Sequence, residues 1–141
     1  MQVEFNRHTL IVNGIEWDYI DEGSYRRAYR SPDGTLVLKI GEDRSCQAEV
    51  EVWKIARRAR RFLCPIIASG EESDHSWVIM PYCETPDGPW PDIFETTKEL
   101  ECALRSTEEL HYIGDIKWTN TGYYQGNLVV LDYGECSSEA T

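Results

Sequence analysis

One block near the end of the sequence, residues 109–135, carries most of the side chains that are suited to chemistry. It reads "ELHYIGDIKWTNTGYYQGNLVVLDYGE" and contains Asp115, Lys117, Asn120 and Asp132. Carboxylates, an ammonium and an amide can together accept protons, carry charge and form directed hydrogen bonds. The alternating apolar run "NLVVLDYG" predicts a strand that delivers Asp132 at its end. The clustering of two carboxylates, a lysine and an amide therefore marks this block as a candidate functional site.

The elements that must position these groups begin with a β-rich first part. An Asn-Gly pair inside "TLIVNGIEWDYI" predicts a hairpin, and "SPDG" predicts a turn between "YRRAYR" and "TLVLKIG". Residues 9–41 are therefore predicted to form consecutive antiparallel strands.

Helices and further hairpins follow this β-rich part. Apolar residues at helical spacing predict one helix over residues 45–63, capped by Ser45, and another over residues 93–110. The segment "PIIASGEESDHSWVIMPYC" predicts a hairpin between the two helices, and "YQGN" predicts the turn of a last hairpin.

The proline-rich segment "ETPDGPWPD" breaks regular structure and predicts the connection between two lobes. We therefore predict an α+β fold with a first lobe at 1–83, a hinge linker at 84–92 and a second lobe at 93–141. A cleft where the linker joins the lobes is the expected ligand site.

The composition limits the partners and the compartment. The formal net charge of −11 argues against a nucleic-acid partner, because phosphate neutralisation needs a basic footprint. A nucleotide is still compatible, since its few phosphates need only a local basic pocket and metal ions. The N-terminus does not read as a signal peptide and no apolar run reaches membrane-spanning length, so no membrane partner is expected. Five scattered cysteines favour reduced thiols and a cytoplasmic location over a disulfide framework or a zinc site.

Several segments, in family order, resemble the protein-kinase-like family. "IDEGSYRRAYR" is similar to the glycine-rich loop, "LVLKI" to the third-strand lysine motif, and "AEVEVW" to the start of the first large helix. "WVIMPYCE" resembles the strand and hinge that contact adenine, "DIKWTN" the catalytic loop of Ser/Thr-type kinases, and "VVLDYGE" the metal-binding Asp-Phe-Gly segment with Tyr for Phe. The resemblance implies a kinase-like α+β fold: an antiparallel β N-lobe with one long helix, plus a reduced C-lobe with one helix, the catalytic loop and a β-hairpin. Compact bacterial effector kinases are comparable.

The resemblance also implies ATP and Mg²⁺ as cofactors and assigns the catalytic roles. Asp115 would accept or orient the proton of the attacking hydroxyl, and Lys117 would offset charge on the moving phosphoryl group. Asn120 and Asp132 would bind Mg²⁺.

The resemblance assigns other residues to the nucleotide. Lys39 would hold the α- and β-phosphates, and Glu49, favoured over Glu51 by its spacing to the following apolar residues, would fix Lys39. A proline in the hinge is tolerated where that residue contributes only its carbonyl to adenine, while a following N–H still donates. The remaining residues assigned to the nucleotide are Gly23 and Ser24 in the loop, Met80 as gatekeeper, and Pro81 and Cys83 in the hinge.

The sequence departs from the family pattern in three places. The loop keeps only Gly23, so weaker nucleotide affinity is expected. Gly114 stands where protein kinases commonly carry the Arg that reads a phosphorylated activation loop, so no such switch is expected; Gly-Asp is also the small-molecule kinase form, whereas Lys117 is the protein-kinase form. After Gly134 only "ECSSEAT" follows, so the activation segment and the helix that props the catalytic loop have no counterpart. Support of that loop by a partner, by self-association or by nothing stays open.

Three functions are compatible with this pattern. The first is a minimal kinase that transfers phosphate from ATP to Ser or Thr of a protein, itself included. The second is a pseudokinase-like module that binds or inhibits a protein partner, and the third is a small-molecule phosphotransferase. The basic run "RRARR" at residues 57–61 is either a solvated helix face or a surface for an acidic partner.

Overall fold

The computed structural model describes residues 1–6, 8–22, 26–42, 44–72, 74–113 and 116–134. The strands in these ranges are β1 (Val3–Asn6), β2 (Thr9–Val12), β3 (Ile15–Glu22), β4 (Arg26–Arg30), β5 (Leu36–Gly41), β6 (Ala68–Glu71), β7 (Ser76–Pro81), β8 (Thr121–Tyr124) and β9 (Asn127–Val130). The helices are α1 (Ser45–Ala56), α2 (Trp90–Arg105) and two 3₁₀ helices, Arg57–Phe62 and Trp118–Asn120.

The chain divides into two compact units. The first contains Met1–Cys46 and Ile66–Tyr82, and the second contains Gln47–Pro65 and Cys83–Thr141. The functional division predicted from the sequence, with a hinge linker at 84–92, stays a prediction.

The first unit is built on an antiparallel sheet of seven strands in the order β1-β2-β3-β4-β5-β7-β6. The predicted Asn-Gly hairpin is present between β2 and β3, where Asn13 and Gly14 take φ of 50° and 81°. Positive φ at both central residues is what a tight hairpin turn requires. The predicted consecutive strands of the first third and the β6–β7 hairpin are therefore confirmed.

One face of this sheet carries the core of the first unit. Alternate residues of the strands point to this face, because successive side chains in a strand lie on opposite sides. The buried cluster consists of Leu10, Val12, Trp17, Tyr29, Leu38, Ile40, Trp77 and Ile79. The side chains of β5 and β7 that point the other way are left to form the opposite face.

The first predicted helix begins at Ser45 as expected but ends early. The prediction ran to residue 63, whereas α1 ends at Ala56 and a 3₁₀ helix, Arg57–Phe62, follows. Arg57 takes φ of 48°, a left-handed conformation that an α-helix cannot continue through. The apolar residues of the predicted helix stay buried on both sides of this break, since Val52, Ala59 and Leu63 are at most 1% exposed.

The second helix is shifted toward the N-terminus relative to its prediction over residues 93–110. It begins at Trp90 because Pro91 lies in the first turn, where a missing N–H costs no helical hydrogen bond. It ends at Arg105 because the hydroxyls of Ser106 and Thr107 donate to the carbonyl oxygens of Cys102 and Leu104 at 2.8 and 2.6 Å. Such side-chain bonds compete with helix continuation.

The last hairpin, β8–β9, turns at the predicted "YQGN", where Gln125 and Gly126 take φ of 51° and 82°. It packs on the rest of the second unit through a parallel bridge between Leu63 and Val130. In the part of the chain that the structure describes, neither α-helix combines the length and the hydropathy that crossing a membrane requires.

Candidate active site

Asn120 and Asp132 are brought together at the ends of two elements of the second unit. The Asn120 amide donates from Nδ2 to the Asp132 carbonyl oxygen at 2.7 Å, and its Oδ1 accepts the Asp132 N–H at 2.7 Å. The Asn120 carbonyl oxygen also accepts the N–H of Leu131 at 2.9 Å. These bonds fix the orientation of the amide, because only one assignment of its oxygen and nitrogen satisfies both partners. The backbone that carries the Asp132 side chain is thereby tied to the loop that carries Asn120.

Glu49 of α1 holds the residue that follows Asp132. Its Oε2 accepts the N–H of Tyr133 at 2.9 Å, although 84 residues separate the two in sequence. Both side chains are fully buried. The Tyr133 hydroxyl donates to the Cys64 carbonyl oxygen at 2.7 Å, which explains how a tyrosine is satisfied at this buried position. Glu51, the alternative considered from the sequence, is exposed.

Lys39 lies in the first unit, at the middle of β5. Its cross-strand neighbours are Ala28 on β4 and Val78 on β7. Leu38 and Ile40 on either side of it point into the core cluster, so Lys39 points to the opposite face of the sheet. Lys39 is half-buried there.

The predicted gatekeeper and hinge residues follow on β7 and just after it. Met80 pairs with Val37, is 2% exposed and shares the sheet face of Lys39, while Pro81 ends β7 opposite Leu36. Cys83 belongs to the second unit and is buried with its Sγ 3.6 Å from that of Cys64.

A close approach of two backbones fixes the position of Cys83. A Cβ added at Gly122 of β8 would lie 2.7 Å from the Cys83 Cβ, so only glycine fits there. The next residue, Glu84, forms a bridge with Tyr123, whose N–H donates to the Glu84 carbonyl oxygen at 2.9 Å. The β8 strand therefore holds the start of the predicted hinge linker.

The remaining predicted site residues divide into one that is described and three that are not. Lys117 is exposed, and its carbonyl oxygen accepts the Asn120 N–H at 2.9 Å. Gly23, Ser24 and Asp115 lie outside the described residues. Their assigned roles stay predictions.

The residues present fit a magnesium ion that is shared with a nucleotide. Among the described residues, no group of three or more His, Cys, Asp or Glu side chains is arranged to hold a metal. Mg²⁺ in nucleotide sites typically takes one or two protein ligands and completes its shell with phosphate oxygens and water. The exposed side chain of Asp132 and the remaining lone pair of the Asn120 Oδ1 match that requirement.

One residue that the sequence reasoning missed is Glu101. It is 3% exposed on α2, and its Oε1 accepts the N–H of Ile116 at 2.9 Å, directly before Lys117. A signal for it exists in the sequence, because a glutamate at this position falls inside the buried stripe of the helix. The buried members of that stripe are Thr97, Leu100, Glu101 and Leu104.

Comparison with known proteins gives a structural relative but no relative by sequence. No protein-family model matches the sequence, and no curated protein matches it. Among solved structures, the crystal structure of aminoglycoside phosphotransferase APH(4)-Ia is similar with a TM-score of 0.52 and 16% sequence identity. The similarity covers 65% of this chain and 34% of that one, so the chain spans about a third of the length of the relative it matches.

This similarity shows the fold. The chain has the α+β, protein-kinase-like fold that its motifs predicted, with an antiparallel β N-lobe and a reduced C-lobe. At 16% identity the similarity shows the fold alone and assigns no acceptor.

Proposed function

We propose that this protein is an ATP- and magnesium-dependent phosphotransferase whose acceptor is a Ser or Thr hydroxyl of a protein. The observation that carries the proposal is the double hydrogen bond between the Asn120 side chain and the Asp132 backbone, with Tyr133 held by Glu49. Asn120 and Asp132, which the motifs assign to one site, are thus joined directly, and Glu49 is joined to them through the backbone N–H of Tyr133, all within one unit. The kinase-like fold supports the same reaction class.

The side chains of the second unit would act by positioning and by charge. Asp132 and Asn120 offer two oxygens to a metal that is bound with the nucleotide. The two hydrogen bonds between these residues hold them together. Magnesium supplies charge neutralisation on the phosphates when bound. Lys117, exposed beside Asn120, offsets the negative charge that develops on the transferred group, and Asp115 orients the acceptor hydroxyl.

The nucleotide roles of the other predicted residues belong to the same proposal. Lys39 holds the α- and β-phosphates, with Glu49 as the carboxylate assigned to it. Met80 limits the adenine site. Pro81 offers only its carbonyl, and Cys83 donates its N–H to the base.

A small-molecule hydroxyl is the second candidate acceptor. The observation that favours it is the structural similarity to an aminoglycoside phosphotransferase, together with the Gly114-Asp115 pair of the small-molecule form. Lys117, the protein-kinase form, favours a protein acceptor instead. The proposal keeps the protein acceptor first and lets the experiment decide between the two.

The experiment measures ATP binding first and phosphate transfer second. Thermal unfolding is followed with ATP and Mg²⁺ and again with EDTA, because a ligand that binds only the folded state raises its stability by about 2.7 kcal/mol at a concentration of about 100 Kd. Transfer from γ-labelled ATP is then followed with cell-lysate proteins, with the protein alone, and with a panel of hydroxylated small molecules including aminoglycosides. Wild type is compared with Asp132→Ala and with Glu99→Ala, an exposed α2 carboxylate that serves as the control.

Label on protein hydroxyls that disappears in Asp132→Ala and persists in Glu99→Ala supports the proposal. Label on a small molecule alone supports the second acceptor. Capture of a protein partner that Asp132→Ala and Lys39→Ala leave unchanged, without any transfer, contradicts both and identifies a pseudokinase-like binding module.

A further inference from the structure

The catalytic loop is anchored by one helix of the same unit. Helix α2 contacts the loop at Ile116 and at Trp118, the two residues that flank Lys117 in the sequence. At the first of these residues, Glu101 Oε1 accepts the N–H of Ile116 at 2.9 Å. Two residues further on, the rings of Trp118 and Trp90 meet edge to face, with centroids 6.4 Å apart. The loop therefore runs back along the helix, against its direction.

A second hydrogen bond extends the anchor toward the start of the loop. Arg105, one turn after Glu101, donates from Nε to the Ile113 carbonyl oxygen at 3.4 Å. The two side chains are themselves paired, with Arg105 Nη2 3.7 Å from Glu101 Oε1. Ile113 and Ile116 flank Gly114 and Asp115 in the sequence. One ion pair on α2 thus contacts the backbone on both sides of the predicted catalytic aspartate.

Glu101 is an unusual residue for the place it occupies. It is 3% exposed within the stripe of α2 that otherwise buries Leu100 and Leu104. Burying a carboxylate is costly unless donors surround it, and an apolar residue of similar volume is often as stable at such a place. Stability of the helix alone therefore does not call for a glutamate here.

The donors around Glu101 keep it ionised. Burial acts to raise its pKa, but the Ile116 N–H, the Lys98 ammonium at 3.2 Å and the charge of Arg105 outweigh that effect and lower the pKa below its usual value. An ionised acceptor forms a stronger hydrogen bond with a backbone N–H than a neutral one does.

We propose that Glu101, paired with Arg105, is a positioning residue that fixes the catalytic loop on α2 so that Lys117 and Asn120 are presented in one geometry. The role rests on the proposed phosphotransferase function. It assigns a support for this loop to a residue of the same unit.

The test separates positioning from nucleotide binding. Glu101→Leu removes the acceptor for the Ile116 N–H. Glu101→Gln keeps a side chain of the same length that still carries an acceptor oxygen. Misplacing catalytic groups by about 1 Å costs about 100-fold in rate, so we expect kcat of Glu101→Leu to fall at least about tenfold with KM for ATP changed less than about threefold. Glu101→Gln should restore most of kcat. Glu99→Leu, an apolar substitution at an exposed position of the same helix, is the control and should match wild type.

A second measurement does not depend on activity. Amide hydrogen exchange at Ile116 should be faster in Glu101→Leu than in Glu101→Gln or in Glu99→Leu, while amides in the middle of α2 keep their protection, which also shows that the variant is folded. A Glu101→Leu variant with wild-type kcat and wild-type exchange at Ile116 overturns the positioning role and leaves the proposed function standing. Wild-type protein that binds ATP and Mg²⁺ but transfers phosphate to no acceptor overturns the proposed function, and the positioning role with it.

Discussion

Asn120 combines an observed structural bond with a predicted chemical role. Its amide bonds both backbone polar groups of Asp132 at 2.7 Å, and the same Oδ1 is the predicted metal ligand. An oxygen with two lone pairs can accept the N–H and still face a cation. The structural bond and the predicted chemistry therefore cannot be separated by removing the whole side chain.

Replacing Asn120 tests how much its two hydrogen bonds to Asp132 contribute to stability. We expect Asn120→Ala to lower the free energy of unfolding by about 1–2 kcal/mol, because two hydrogen bonds at a partly exposed position are lost. Urea denaturation at neutral pH measures it. Asn127→Ala, at the exposed start of β9, is the matched control and should stay within about 0.5 kcal/mol of wild type. Equal stability of the two variants would contradict a stabilising role of the two Asn120–Asp132 hydrogen bonds.

Glu49 and Glu51 show how burial distinguishes neighbours that the sequence leaves similar. Both lie on α1, yet Glu49 is fully buried with its Oε2 on the Tyr133 N–H and Glu51 is exposed. The spacing argument favoured Glu49. The structure adds a partner, the backbone of Tyr133, that no spacing rule supplied.

At the scale of elements, the β4–β5 turn shows how a short polar segment sets a strand register. The carboxylate of Asp33 accepts from the Ser31 hydroxyl at 2.6 Å and from the Thr35 N–H and hydroxyl at 3.0 and 2.8 Å. The Ser31 hydroxyl in turn accepts the Leu36 N–H at 3.0 Å, at the first residue of β5. The turn thus fixes where β5 begins, and with it which face of the sheet receives Lys39.

The same turn makes a pH prediction. The Ser31 hydroxyl, then the Thr35 N–H and hydroxyl, lower the pKa of Asp33 from 3.8 to about 2. Because the folded pKa lies below the unfolded one, the contribution of Asp33 to stability is present above about pH 4 and is lost as the pH falls through 2. Carboxyl carbon chemical shifts followed by NMR against pH should give the value. Ser31→Ala should move it back toward 3.8, and an unchanged value in that variant would contradict the assigned cause.

The α2 helix shows an element whose ends the apolar pattern placed poorly. Proline in the first turn and two hydroxyl side chains after Arg105 decided its bounds. Terminal residues depend on single hydrogen bonds, which an apolar pattern does not report.

At the scale of the whole molecule, the dominant property is negative charge. The chain carries 25 acidic against 14 basic side chains. Mutual repulsion among like charges favours the unfolded chain, in which they lie farther apart. Local pairs such as Arg27–Glu22, at 2.8 Å but half-exposed, offset little of it.

The charge predicts a dependence of stability on salt. Raising NaCl from about 0.01 to about 0.1 M shortens the screening length from about 30 to about 10 Å, so we expect the free energy of unfolding to rise by about 1 kcal/mol. Urea denaturation at each NaCl concentration measures it, with equal osmolality of glucose as the control. A fall in stability with salt would mean that attractive ion pairs outweigh the net repulsion.

The sequence by itself determined the strands of the first third, the hairpin turns and the face of β5 that receives Lys39. Those features depend on local physics. Asn13-Gly14 and Gln125-Gly126 accept positive φ, which tight hairpin turns need. Alternation along β5 points Lys39 to one face of the sheet and its neighbours Leu38 and Ile40 to the other. Only the tertiary structure decided that Glu49 holds Tyr133 and that Glu101 holds Ile116. Those partners are 84 and 15 residues apart. A hydrogen bond at such separation forms only after the packing of helices and strands has brought the two groups within about 3 Å, and no residue pattern along the chain records that distance.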